Sequence, residues 1–252
     1  DDLKSPTSMI ACAKHYAAYG AVESGKEYNS TEISLRTLRE VHLSGFHAAV
    51  EAGVGTMMAG FSTVDGVPPV ASRFLMTDVL RKEWGFEGFV VSDWASIGEL
   101  IPHGLARTLK EAGRLALHAG TDMDMCSTAY VKHLVELVKE GKTPIEEINT
   151  SVRRILHVKI AMGLLDNPYT DESRREKVML CQEHLDLARK AAEESFVLLK
   201  NKGEVLPLKE GQKIALIGPL ANSADDMLGE WACMGRKEDV VTLKTAMESK
   251  LA

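Results

Sequence analysis

The segment Phe89-Val90-Val91-Ser92-Asp93-Trp94 carries an apolar run directly into a carboxylate and then an aromatic ring. In parallel α/β architectures, active sites gather at the C-terminal ends of the strands. A carboxylate at such an end is held by a rigid element and faces a cavity. The indole of Trp94 adds a flat apolar face on which a sugar ring can stack. The alternative is an Asp93 that only caps the next turn or helix, a common task for a strand-end aspartate. The segment alone does not separate the two.

Glu99 follows Asp93 by six residues, in the loop expected after that strand. Two carboxylates on one cavity are what glycoside hydrolysis needs: one attacks, the other gives a proton and takes it back. In retaining enzymes the pair stands about 5–5.5 Å apart. A loop glutamate is equally at home in solvent. Lys14 and His15 close the first apolar run and set two donors side by side, which suits polyol hydroxyls or a carboxylate. Their plainer role is an exposed lysine and a core histidine. Asp122 and Asp124 lie on the fourth apolar run, placed either to orient a donor or to cap the next helix.

Four short apolar runs would position these groups: Met9–Ala13, Thr56–Gly60, Phe89–Ser92 and Asp122–Met125. Most are too apolar for a half-exposed sheet and read as buried parallel strands. Helical patterns separate them, over about 34–51, 76–84, 108–119 and 129–140, with Gly53, Gly85, Gly120 and Gly141 at their ends, where a positive φ is needed. Ser127 is a candidate cap for the last of these. Thr143-Pro144-Ile145-Glu146 has the form of a capping box opening a further helix that ends near Gly163. Four strand–helix units make either an open sheet or half of a closed eight-stranded barrel. The expected organisation is a barrel segment over 1–165, a linker and connecting helix over 166–194, and the start of a second α/β domain over 195–252. In that second domain, Phe196–Leu199 and Ile214–Ile217 are the expected strands.

The 252-residue chain carries a net charge of −6, with 45% hydrophobic and 26% charged residues, ordinary values for a globular protein. It has no basic stripe interleaved with aromatics, so nucleic acid is not an expected partner. No apolar run approaches the about 20 residues that span a bilayer, so neither is a membrane. Asp1-Asp2-Leu3-Lys4 is not a signal peptide. The four cysteines form no C-x-x-C pair and the eight histidines no H-E-x-x-H, so no metal or other cofactor is expected. Ile214-Ala215-Leu216-Ile217-Gly218-Pro219 lacks G-x-G-x-x-G, and Pro219 removes a backbone donor that a phosphate would need.

Taken in order, several segments resemble glycoside hydrolase family 3. They are Ala11-Cys12-Ala13-Lys14-His15-Tyr16-Ala17-Ala18-Tyr19-Gly20, Ala52-Gly53-Val54-Gly55-Thr56-Met57-Met58 and the dense stretch from Leu80 to Trp94. Gly120-Thr121-Asp122-Met123-Asp124-Met125, Ser195-Phe196-Val197-Leu198-Leu199-Lys200-Asn201, Leu206-Pro207-Leu208 and Ile217-Gly218-Pro219 follow. The resemblance spans nearly the whole chain. It implies an α/β fold: the second half of a (β/α)8 TIM barrel, followed by the start of an α/β sandwich domain. It implies a retaining β-glucosidase with Asp93 as nucleophile and with Lys14, His15 and Trp94 binding substrate. Gly20-Ala21-Val22-Glu23-Ser24-Gly25-Lys26-Glu27-Tyr28-Asn29 resembles a bacterial β-glucosidase branch in which the acid/base comes from the loop after the nucleophile, here Glu99. Other branches take it from the second domain.

The chain departs from the family where S-Y-N-x-x-N-G-x-P is usual and Gly60-Phe61-Ser62-Thr63-Val64-Asp65-Gly66-Val67-Pro68 stands instead, without the tyrosine hydroxyl and the amide. The K-H-F-P-G-H-G pattern of the N-acetylglucosaminidase branch is absent. β-Xylosidase, another exo-glycosidase activity, or an inactive carbohydrate-binding fragment are the alternatives. The partners implied are β-linked glucosides or oligosaccharides, with the upstream barrel half or a second copy as protein partners. By family analogy the compartment is periplasmic or extracellular.

Overall fold

The computed structural model describes residues 3–5 and 7–251. They fall into two compact units, 1–173 and 174–252. In the first, β1 (Cys12–Tyr16), β2 (Thr56–Ala59) and β3 (Phe89–Val91) form a parallel sheet in the order β1-β2-β3. Between β1 and β2 lie α1 (Leu35–Thr37), a wide-turn helical stretch Leu38–His42 and α2 (Ser44–Glu51). A second wide-turn stretch, Phe74–Glu83, joins β2 to β3. Then follow α3 (Leu109–Ala119), α4 (Ala129–Lys139) and α5 (Ile145–Ala161). Parallel strands alternating with helices, in sequential order, form a segment of a TIM barrel.

The core explains the alternation. Met57, Ala59 and Val90 from the strands and Leu75, Met76, Val79 and Leu80 from the second wide-turn stretch are all at or below 1% exposure. The helices turn an apolar face to the sheet and keep charges outside. Tyr16, fully buried, ends β1 between the rings of Phe46 and Trp84 and donates its hydroxyl to the Leu75 carbonyl. Gly88 has no room for a side chain, since a Cβ there would stand 2.0 Å from the Gly55 carbonyl oxygen.

Several expectations shift. The first strand begins three residues later than Met9, whose side chain is exposed, and it runs through Lys14 and His15 to Tyr16. Lys14 and His15 therefore sit inside the strand, where its register against β2 is irregular between Ala13 and Tyr16. Asp122–Met125 forms no strand. It follows β3 through Asp122 N–H and Met123 N–H to the Val90 carbonyl and Ser92 N–H to the Met123 carbonyl, then turns away at Cys126, with φ 68°. The capping box at Thr143 does not form either. Pro144 is the N-cap, and the Thr143 amide is spent on the Leu137 carbonyl at the end of α4. Ser127 is not the cap of α4: its hydroxyl accepts from Gly98 N–H instead.

The second unit holds α6 (Ser173–Val178), whose first residue belongs to the first unit, then α7 (Gln182–Ser195), α8 (Ala224–Leu228) and α9 (Leu243–Leu251). Phe196–Leu199 and Ile214–Ile217 are not strands; among the described residues neither segment pairs, and their side chains are exposed. An extended apolar segment becomes a strand only when a neighbour takes its backbone groups.

Candidate active site

β3 ends at Val91, and Asp93 lies two residues beyond it, at the C-terminal edge of the parallel sheet. The segment 121–127 clamps this end. Ser92, fully buried, accepts from Met125 N–H, and Ala95 N–H donates to the Met125 carbonyl. Asp122 anchors the clamp from below. Its carboxylate, wholly buried, accepts from Val90 N–H at 2.8 Å, Arg81 at 2.6 Å and Arg154 at 2.8 Å. Asp124 caps α4, accepting from Ser127 N–H and Tyr130 N–H. Of the two roles open to Asp122 and Asp124, the structure gives the first a buried ionic anchor and the second a helix cap.

Asp93 is itself 8% exposed. Its Oδ1 accepts from Trp94 N–H at 2.7 Å, while Oδ2 is buried without a hydrogen-bond partner among the described residues. His15 Nε2 stands 3.4 Å from that Oδ2, close enough for an ionic contact but not aligned as a hydrogen bond. Burial lowers the His15 pKa, as does Lys14, against the opposing pull of Asp93 and Glu27. A neutral imidazole therefore faces the carboxylate near neutral pH. The Oδ2 lone pairs are held by a rigid frame and accept no hydrogen bond among the described residues, which suits attack on an electrophilic carbon.

After Asp93 the chain turns through Ala95, with φ 57°, into a short helical turn, Gly98–Leu100. Ser96 N–H donates to the Asp93 carbonyl and Ile97 is fully buried beneath. This turn carries Glu99 back to the same edge. Its carboxyl is half-buried, and Oε2 has no hydrogen-bond partner among the described residues. Burial first, then the negative charge of Asp93, holds the Glu99 pKa above the ordinary glutamate value. A carboxylate with free lone pairs beside a carboxyl inclined to keep its proton matches the division of labour between nucleophile and acid/base.

The structure thus brings Asp93, His15 and Glu99 together. Trp94 flanks them with its side chain 65% exposed. Lys14 lies beside His15 on β1 but is exposed and forms no ion pair among the described residues. Four further side chains belong to this edge and carried no assignment in the sequence: Tyr19, Glu27, Tyr28 and Phe61. Tyr19 packs its ring on His15 at 5.2 Å and donates its hydroxyl to Glu27, while Phe61 meets Tyr19 at 6.0 Å and Tyr28 at 4.7 Å. A local signal exists only for Tyr19, which follows the Lys14-His15 pair closely; Glu27, Tyr28 and Phe61 reach this edge through tertiary packing.

Residues 3–158 match the sequence pattern described as "Glycosyl hydrolase family 3 N terminal domain", and residues 196–252 match "Glycosyl hydrolase family 3 C-terminal domain". The chain belongs to glycosyl hydrolase family 3. It is 41% identical over 254 residues to a periplasmic beta-glucosidase of Salmonella typhimurium, covering 98% of this chain and 33% of that protein. A putative beta-xylosidase of Formosa agariphila is 40% identical over 224 residues, covering 87% of this chain and 30% of the relative. The crystal structure of a beta-glucosidase from Listeria innocua superimposes with a TM-score of 0.86 at 40% identity, over 99% of this chain and 35% of that one. The Listeria enzyme has also been solved with glucose and, as a D270A mutant, with laminaribiose. The chain spans about a third of the length of the curated relatives it matches.

Proposed function

We propose that this family 3 chain supplies the nucleophile and the acid/base of a retaining β-glucosidase. The observation that carries the reading is the pairing of a buried Asp93 Oδ2, which has no hydrogen-bond partner among the described residues, with a neighbouring glutamate, Glu99, whose pKa is raised. Asp93 Oδ2 attacks the anomeric carbon of a terminal β-glucosyl unit. The C1–O bond breaks, its electron pair leaves with the aglycone oxygen, and Glu99 delivers the proton. Asp93 is then bonded to C1. Glu99, now ionised, takes a proton from water, the water oxygen attacks C1, and the carboxylate of Asp93 is released. Two displacements restore the starting configuration. His15 and Lys14 hold sugar hydroxyls, and Trp94 provides an apolar face for the ring. The glucose and laminaribiose complexes of the Listeria relative support β-glucosides as substrates. The Salmonella relative supports a periplasmic location.

A 2-deoxy-2-fluoro-β-glucoside tests the nucleophile. The intact enzyme is expected to accumulate a covalent adduct that maps to Asp93, and Asp93→Ala is expected to form none and to lose turnover. A label on any other residue refutes the assignment. Glu99→Ala should hydrolyse an activated aryl glucoside slowly and recover with azide, yielding the β-glucosyl azide. Absence of that product would transfer the acid/base role to the second domain, as in other branches of the family. β-Xylosidase is the second reading, supported by the Formosa relative. A ratio of aryl-xyloside to aryl-glucoside kcat/KM above one would favour it.

A further inference from the structure

A line of contacts leads outward from the proposed nucleophile. His15 Nε2 is 3.4 Å from Asp93, the Tyr19 ring is 5.2 Å from His15, Phe61 is 6.0 Å from Tyr19, and Tyr28 is 4.7 Å from Phe61. Phe61 is the inner member, 9% exposed, whereas Tyr28 is 47% exposed. The loop that bears Tyr28 is clipped to the loop after β2: Thr31 N–H donates to the Thr63 carbonyl, and Asp65 N–H donates to the Thr31 carbonyl. Within the loop, Asn29 secures the chain through the Glu23 carbonyl and Ser30 N–H. The ring of Tyr28 is therefore held in place on a braced loop, not left to wander on a free one.

The backbone at Tyr28 is also unusual. Its φ is 66°, in the left-handed region, and it occupies the third position of a turn closed by Asn29 N–H to the Lys26 carbonyl. Glycine or asparagine suits that position and a bulky ring does not. A residue that strains its own turn, lies half in solvent and contributes little to the core points to a task for the side chain. The charged groups that act on its hydroxyl, in decreasing strength, are Glu99, Glu27 and Asp93. Geometrically, Tyr28 is the outermost ring of the line that begins at Asp93, on the solvent side toward which the leaving group of a sugar held at Asp93 extends.

Resting on the glycosidase reading above, we propose that Tyr28, backed by Phe61, is the platform that receives the aglycone, and that it selects glycosides whose leaving group is a ring, aryl or sugar, over those with a small alkyl group. A flat aromatic face stacks on a ring and gains little from a methyl group.

The test compares kcat/KM of the intact enzyme for p-nitrophenyl β-glucoside, laminaribiose and methyl β-glucoside, in wild type, Tyr28→Gly and Tyr28→Phe. Glycine relieves the turn, so loss of folding does not explain its effect, and melting temperature checks this directly. In Tyr28→Gly the aryl-to-methyl and laminaribiose-to-methyl ratios are expected to fall about fivefold to tenfold. Tyr28→Phe should keep both ratios within about twofold of wild type, since the ring is retained. Ratios unchanged in Tyr28→Gly overturn the proposal. A wild-type enzyme that cleaves none of the three glycosides overturns the glycosidase reading as well. An Asp93 adduct in wild type together with unchanged ratios overturns the platform alone.

Discussion

Asp122→Asn tests how the site is held from beneath. The Asp122 carboxylate is wholly buried and joins three partners: the β3 amide of Val90, Arg81 from the preceding helical stretch and Arg154 from α5. Arg81 is 8% exposed at its side chain and Arg154 26%, so both guanidiniums depend on this one anion away from bulk water. Burial pushes the Arg81 pKa down to about 10, and Asp122 is the first influence that opposes it. Removing one member of a buried ionic set leaves charge uncompensated and costs about 3–5 kcal/mol. Asparagine keeps one acceptor oxygen, and Arg154 can turn toward solvent, which favours the lower half of that range. The first unit spans 173 residues. For a domain of about 150–250 residues each kcal/mol moves the melting temperature by about 2–4 °C, so a fall of about 6–16 °C is expected. Thermal unfolding of the intact protein followed by near-UV circular dichroism measures it. A double-mutant cycle with Arg81→Met should show a coupling of about 0.5–3 kcal/mol, because the second removal takes away the charge that the first one stranded. A fall below about 2 °C, or strict additivity, would refute the account of Asp122 as the anchor of β3.

Glu99→Gln should stabilise the fold in a pH-dependent way. The folded-state pKa of Glu99 lies above its ordinary value, so its ionisation costs folding free energy as pH rises through that folded pKa. The gain from glutamine should be absent below the ordinary glutamate pKa and reach its full size once Glu99 is ionised; melting temperatures across pH 3 to 8 check this, and an equal gain at all pH values would contradict it. Gly88→Ala should be destabilising by more than about 3 kcal/mol, because the new Cβ would meet backbone, the Gly55 carbonyl, which has no rotamer to move to. Denaturant unfolding measures that loss, and a variant within about 1 kcal/mol of wild type would show that the β2–β3 approach is looser than described.

Much of the helical layer could be read residue by residue. The pattern over 108–119 becomes α3, Leu109–Ala119, capped by Thr108 and closed by Gly120 at φ 113°, because period and cap chemistry are local properties. The strand-end position of Asp93 follows from its apolar run in the same way. The misplacements have different causes. Thr143 reads as the cap of α5, but Pro144 takes the N-cap position, the Thr143 amide bonds to the end of α4, and its buried hydroxyl has no hydrogen-bond partner among the described residues. Asp122–Met125 has a strand's composition, but its two aspartates are spent on Arg81, Arg154 and the start of α4. Phe196–Leu199 and Ile214–Ile217 are strand-like in sequence and unpaired among the described residues.

What the chain determines by itself is which short runs prefer which element, and where a carboxylate must emerge from a strand. These depend on neighbours a few positions away. Only the tertiary structure decided that His15 meets Asp93, that Glu99 returns to the same edge with its proton affinity raised, and that Tyr28 stands on Phe61 beside them. Proximity between residues far apart in sequence, and the loss of water around a charge, are properties of packing. No local pattern encodes them, because both depend on which surfaces the sheet and its helices leave open.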